Sequence, residues 1–201
     1  GWIKAAKATV TFTCSDTESG VAETACPEPV DVTVDGGTTV TGTVRDRAGN
    51  NASTSVAVQL DNTPPVLVAT VAPAGWTNAE SATVTFTCSD PASGLVGACP
   101  DPVTSTAEGS TSVERTITDV AGNSTTVSSD LRIDRTAPTV TIEGSGSALT
   151  CRTTDALSGV ATSATGAHTV TPSGSYFVCT GAMDNAGNSA QARRQTAGPI
   201  T

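Results

Sequence analysis

Five residues recur three times in this chain, as Asp46-Arg-Ala-Gly-Asn50, Asp119-Val-Ala-Gly-Asn123 and Asp184-Asn-Ala-Gly-Asn188. Glycine reaches positive φ at little cost, asparagine tolerates the left-handed region, and an aspartate carboxylate accepts hydrogen bonds from the amides just ahead of it. The frame therefore suits a tight turn, with Asp46, Gly49, Asn50, Asp119, Gly122, Asn123, Asp184, Gly187 and Asn188 as its builders. Around the first copy, Thr39-Val-Thr-Gly-Thr-Val44 leads in and Ser53-Thr-Ser-Val-Ala-Val-Gln-Leu60 leads out. Alternating apolar residues on both sides of a turn predict a β-hairpin.

The nearly even recurrence of the frame, at Asp46, Asp119 and Asp184, divides the 201 residues into three small repeats. The predicted boundaries are 1–63, 64–136 and 137–201. Domains of that size bury a small share of their surface and usually need cross-links, metal or neighbours. The six cysteines fall two per repeat: Cys14 with Cys26, Cys88 with Cys99, and Cys151 with Cys179. With no CxxC and a single histidine, this distribution favours disulfides within repeats over zinc, and so an oxidising, extracytoplasmic setting. The first two pairs are close in sequence and the third is wide, so two local staples precede one long bridge.

Other segments recur in register with the frame. Gly1-Trp2 through Ala8-Thr-Val-Thr-Phe-Thr-Cys14-Ser-Asp16 reappears as Gly75-Trp76 through Ala82-Thr-Val-Thr-Phe-Thr-Cys88-Ser-Asp90. Val10, Phe12 and Cys14 alternate with threonines, which predicts a strand with one apolar face. Asp-x-x-Ser-Gly begins at Asp16, Asp90 and Asp155, and each repeat junction carries Asp-x-Thr-x-Pro, at Asp61–Pro65 and Asp134–Pro138. Proline ends the strand before it, so the repeats abut through a short, stiff connection without a Gly/Ser spacer. A rod of antiparallel β-sandwiches is the expected architecture.

The combination of Asp-x-x-Ser-Gly, Asp-x-Ala-Gly-Asn and Asp-x-Thr-x-Pro resembles the tandem bacterial immunoglobulin-like repeats of secreted and cell-surface proteins, over nearly the whole chain. The resemblance implies an all-β fold of three tandem immunoglobulin-like sandwiches and an extracellular, non-catalytic role in spacing, stiffening or adhesion. Cys179, shortly ahead of Asp184, resembles the cross-sheet bridge of immunoglobulin domains. The tryptophans depart from the antibody pattern, since Trp2 and Trp76 precede the cysteine strand and the third repeat has none.

Composition narrows the partners. The net charge is −9 with only two lysines, Lys4 and Lys7, which argues against nucleic acid and anionic membrane. No apolar run approaches the ~18 residues needed to cross a bilayer as a helix. The one histidine, His168, has no triad motif around it, and the recurring acids behave as turn-builders, so no enzyme activity is expected. Calcium is the alternative use of those acids, with Asp16, Asp61, Asp90 and Asp134 as oxygen ligands. Trp2 and Trp76 are the candidates for a glycan platform in the competing reading, an accessory module of a secreted enzyme. Partners are expected to be neighbouring domains or further copies.

The first repeat lacks the apolar strand that opens the others, Val66-Leu-Val-Ala-Thr-Val71 in the second and Thr139-Val-Thr-Ile142 in the third. The expectation is a segment cut from a longer protein, a strand donated by another copy in a filament, or a first repeat that manages without that strand.

Overall fold

The computed structural model describes residues 1–171 and 174–197. Among these residues the chain is all-β. The first repeat forms β1 (Ala8–Val10), β2 (Val30–Val32), β3 (Gly36–Arg45) and β4 (Asn51–Leu60). The second forms β5 (Val66–Ala72), β6 (Trp76–Thr77), β7 (Ala82–Ser89), β8 (Val103–Ser105), β9 (Gly109–Thr118) and β10 (Ser124–Ile133). The third forms β11 (Thr139–Ser145), β12 (Ala148–Thr154), β13 (Val160–Thr162), β14 (Thr165–Thr171), β15 (Gly174–Asp184) and β16 (Ser189–Thr196).

Each Asp-x-Ala-Gly-Asn frame closes a hairpin, β3–β4, β9–β10 or β15–β16. The β3–β4 ladder runs without slip from Gly36 opposite Leu60 to Arg45 opposite Asn51. In all three frames the asparagine carbonyl accepts the aspartate amide at 3.0 Å, and the glycine sits at φ between +95° and +98°. That φ suits glycine, since a Cβ there clashes with the neighbouring carbonyl.

The hairpins are joined to short sheets: β1–β2, β5–β7–β8 and β11–β12, with β13 and β14 pairing β15. The Gly-Trp segments run parallel to the last strand of their own repeat. Ile3 bridges Leu60, and β6 pairs β10 with Trp76 opposite Arg132.

The chain forms two compact units whose boundary cuts through the second repeat. Unit 1 is Gly1–Val68, Phe86–Pro100 and Arg115–Val127; unit 2 is Ala69–Thr85, Asp101–Glu114 and Ser128–Thr201. Unit 1 holds a core of Val32, Val40, Val58 and Leu60, with Ala5, Ala8, Val10 and Phe12 packed against it. In unit 2, Ala82, Val84, Leu131 and Ile133 are almost fully buried. Each fully buried Val, Leu or Ile side chain contributes about 1.5–3 kcal/mol through burial, so cores this small gain from covalent support.

The disulfides supply that support within each repeat: Cys14–Cys26, Cys88–Cys99 and Cys151–Cys179. The third differs from the others by joining strands of two sheets, β12 and β15, and Cys179 is fully buried.

Candidate functional site

Two groups of three aspartates are the chemically distinctive features of the chain. In unit 1, Asp61, Asp90 and Asp119 each bring a carboxylate oxygen within 4.8 Å of the others; in unit 2, Asp134, Asp155 and Asp184 do the same. Each group takes one aspartate from the Asp-x-Thr-x-Pro junction, one from Asp-x-x-Ser-Gly and one from the turn frame.

The junction aspartate is placed by the Gly-Trp segment. Asp61 donates its amide to the Ile3 carbonyl at 3.0 Å, and Asp134 donates to Thr77 at 2.9 Å. Its side chain then splits its two oxygens. One accepts the threonine amide two residues on, Thr63 to Asp61 and Thr136 to Asp134, both at 3.0 Å. The other accepts the serine amide of the next Asp-x-x-Ser-Gly loop, Ser93 at 3.1 Å or Ser158 at 3.0 Å. Each junction aspartate thus binds the repeat that follows it.

The Asp-x-x-Ser-Gly aspartate folds its own loop. Asp90 Oδ1 accepts the amides of Ala92 and Gly94, at 3.2 and 2.7 Å, and Asp155 Oδ1 accepts those of Leu157 and Gly159, at 3.1 and 2.7 Å. The glycine carbonyl then accepts from the turn frame, from Val120 or Asn185, each at 2.9 Å.

The frame completes the group. Asn123 donates its amide to Asp119 Oδ1 at 2.8 Å and its side-chain amide to Oδ2 at 2.7 Å; Asn188 makes the same pair with Asp184 at 2.8 and 2.7 Å. The asparagine side chain also reaches the junction carbonyl, Asp61 O at 3.2 Å or Asp134 O at 2.7 Å. Asp61, Asp119 and Asp134 are fully buried and Asp184 nearly so. Burial by itself pushes the Asp119 carboxyl up, but hydrogen bonds from Asn123 and from the Gly122 and Ala121 amides outweigh it and hold it below the ordinary carboxylate range.

Five of the six carboxylate oxygens in the first group accept a protein donor. Asp90 Oδ2 is the remaining one, buried and without a hydrogen-bond partner. On the same turn frame, Lys4 Nζ donates to the Gly122 carbonyl at 3.0 Å.

The first repeat lacks such a group among the described residues. Asp16, which the sequence placed among calcium ligands, is exposed and uses Oδ1 to accept Gly20 N at 2.6 Å and Glu18 N at 3.2 Å. Asp46 pairs with Asn50 as the other frames do, at 2.8 Å to each oxygen. Asp119, Asp155 and Asp184 join these groups without standing among the sequence's metal candidates, although one signal in the sequence points to them. The step from Asp61 to Asp90 equals the step from Asp90 to Asp119, and the same step separates Asp155 from Asp184.

The remaining candidates lie elsewhere. Trp2 and Trp76 are half-buried beside the parallel pairings, and His168 is exposed on β14 opposite Phe177. No helix of the described residues is long and apolar enough to cross a membrane. No family model and no curated protein matches the chain.

Proposed function

We propose that this chain is a non-catalytic extracellular segment of three immunoglobulin-like repeats, which spaces or stiffens a bacterial surface or filament protein or carries an adhesive part of it. The observation that carries the reading is the use of the recurring acids. At both junctions the three aspartates accept hydrogen bonds from backbone amides and from one asparagine side chain, which ties a junction, a loop and a turn together. Such a network transmits load from one repeat to the next through buried, charge-assisted hydrogen bonds. The three intra-repeat disulfides fit an oxidising compartment.

Pulling the full chain end to end by single-molecule force spectroscopy tests this reading. Three successive unfolding events are expected, each with a contour gain shortened by the repeat's own disulfide; one concerted event would remove the three-domain spacer. Glycan-array binding that disappears on Trp76→Ala would replace it with the carbohydrate-binding module.

Calcium is a second reading of the same carboxylates, and Asp90 Oδ2 favours it. A buried carboxylate oxygen without a donor, beside two further carboxylates, suits a hard cation with oxygen ligands as well as it suits the hydrogen-bonded network alone. Calorimetric titration of the full chain with calcium separates the two. Heat that vanishes in Asp90→Asn supports the ion, and a flat titration leaves hydrogen bonding alone.

A further inference from the structure

We propose that the outer face of the β15–β16 hairpin, in the third repeat, is a docking surface for a second copy of this chain. Its occupant is the acidic loop in the first repeat of that copy, residues 14–29, so that copies join head to tail. The proposal goes beyond the spacer reading by naming the partner and the two surfaces that meet.

The first observation is a contrast between hairpins that share the turn frame. In the first two repeats the outer face is a ladder of small hydroxyls bonded to one another, Thr41 with Ser55 and Thr116 with Thr126 at 2.8 Å, and Ser112 with Ser128 at 3.4 Å. The third and fifth residues after the frame asparagine are Ser53 and Ser55 in the first repeat and Thr126 and Ser128 in the second. In the third they are Gln191 and Arg193. On β15, Val178 stands opposite Arg193 and Tyr176 opposite Gln195. Cys179 is buried in the core, so the alternation along the strand turns Val178 and Tyr176 to the outer face. Tyrosine and arginine are the side chains that protein interfaces collect.

The second observation is the state of Arg193. Its guanidinium lies 4.4 Å from the centroid of the Tyr176 ring. Stacking of this kind holds the long side chain in place and keeps its in-plane N–H donors for other partners. Arg193 is exposed and makes no ion pair among the described residues. Together with Val178 and Gln191 it lines a depression in the sheet face.

The third observation is how charge is shared out. Residues 137–201 hold three acids and three arginines, so the whole excess of −9 lies in residues 1–136. All three acids are engaged, Asp155 and Asp184 in the carboxylate group and Glu143 at 3.5 Å from Arg152. The carboxylate that complements Arg193 therefore comes from outside its repeat.

The first repeat offers it. Glu18, Glu23 and Glu28 are exposed, none makes an ion pair among the described residues, and they lie in or beside the loop closed by Cys14–Cys26. That bridge, with Pro27 and Pro29 on either side of Glu28, restrains the loop, so little entropy is lost when it docks. The corresponding Cys88–Cys99 loop of the second repeat contains no glutamate. A contact between two different surfaces of successive copies is heterologous, and repetition of it builds an open chain.

Sedimentation of the full chain from about 1 µM to about 1 mM tests the proposal. Mass should rise with concentration past the dimer, because each head-to-tail contact leaves a surface unfilled at either end. Arg193→Glu should weaken association about tenfold or more, and so should Glu18→Lys, Glu23→Lys and Glu28→Lys combined in one chain. Each variant spoils one surface and keeps the other, so an equimolar mixture of the two should associate again. Whole copies repel one another at net −9, which makes this complementation a cleaner readout than added salt. A parent chain that stays monomeric overturns the proposal, as does association that Arg193→Glu leaves unchanged. So does a mixture that fails to recover while each variant melts as the parent does. Binding heat from polygalacturonate that is lost in Arg193→Glu, with the parent chain monomeric throughout, also overturns it and assigns the face to an anionic glycan. The pulling experiment on single chains reads the spacer role separately.

Discussion

The turn frames at Asp46–Asn50 and Asp119–Asn123 share four of five residues and the same internal bonds, yet one is exposed and the other is among the most buried polar features of the chain. Asn to Asp bonds are 2.8 Å to each oxygen in the first, and 2.8 and 2.7 Å in the second. Asp119 is 0% exposed and Asn123 2%, whereas Asp46 is half-buried and Asn50 exposed. What separates them is Asp61, whose carbonyl accepts Asn123 and whose carboxylate meets Asp119. The motif is therefore sufficient to make the turn, and the preceding junction converts that turn into a structural hub.

The sharpest way to break this comparison is to remove the same carboxylate from both frames. Asp119→Ala removes the acceptor of the buried Asn123 backbone amide and one of the two acceptors of its side-chain amide, and should cost about 3–4 kcal/mol in denaturant melts. Asp46→Ala should lower the midpoint far less, because water replaces the lost bonds to an exposed asparagine. Equal losses would show that the junction adds nothing to the hub.

The glycines supply the opposite control. Gly49 and Gly122 have φ of +98° and +95°, so Gly49→Val and Gly122→Val each force a β-branched residue into a strained backbone. Each should cost about 2 kcal/mol by thermal melting, nearly independent of the junction. A large gap between the two would mean that the turn is not the local device its internal bonds describe.

A smaller difference separates the staples. The Cys151–Cys179 bridge spans a sequence separation of 28, against 12 for Cys14–Cys26. On loop entropy alone its removal should cost more by about 0.7 kcal/mol, measured with paired Cys→Ser variants. A reversed order would mean that the longer loop is already constrained in the unfolded chain.

The smallest effect is with acid. Asp119 and Asp46 are both held below the ordinary carboxylate value, Asp46 chiefly by the Asn50 side chain. A depressed folded value means each contributes stability that is present above about pH 4 and is lost as pH falls through the lowered value. Melting between about pH 5 and pH 2 should show a shallower acid loss in Asp119→Ala than in the parent chain; a steeper one would reverse the sign.

Much of this was legible in one dimension. The alternation around each frame, the positive-φ glycine and the flanking strands are local, so the sequence determined the β class, the hairpins and the turn chemistry by itself. The allotment of two cysteines per repeat was equally visible, because short loops bring their ends together at modest entropic cost. The carboxylate groups were only half visible. Asp61, Asp90 and Asp134 stood out as acids near junctions, but Asp119 and Asp184 read as turn-builders and Asp155 as part of a loop.

Only the tertiary structure decided that a junction, a loop and a turn place their acids within 4.8 Å of one another, and that Asp16 stays outside such a group. The same holds for β1 and β7, which arise from the same stretch of sequence and differ in length. A turn depends on bonds between close neighbours along the chain, which sequence states directly. The length of a strand and the burial of a carboxylate depend on what packs against them from elsewhere in the chain, and that is settled only when distant segments meet.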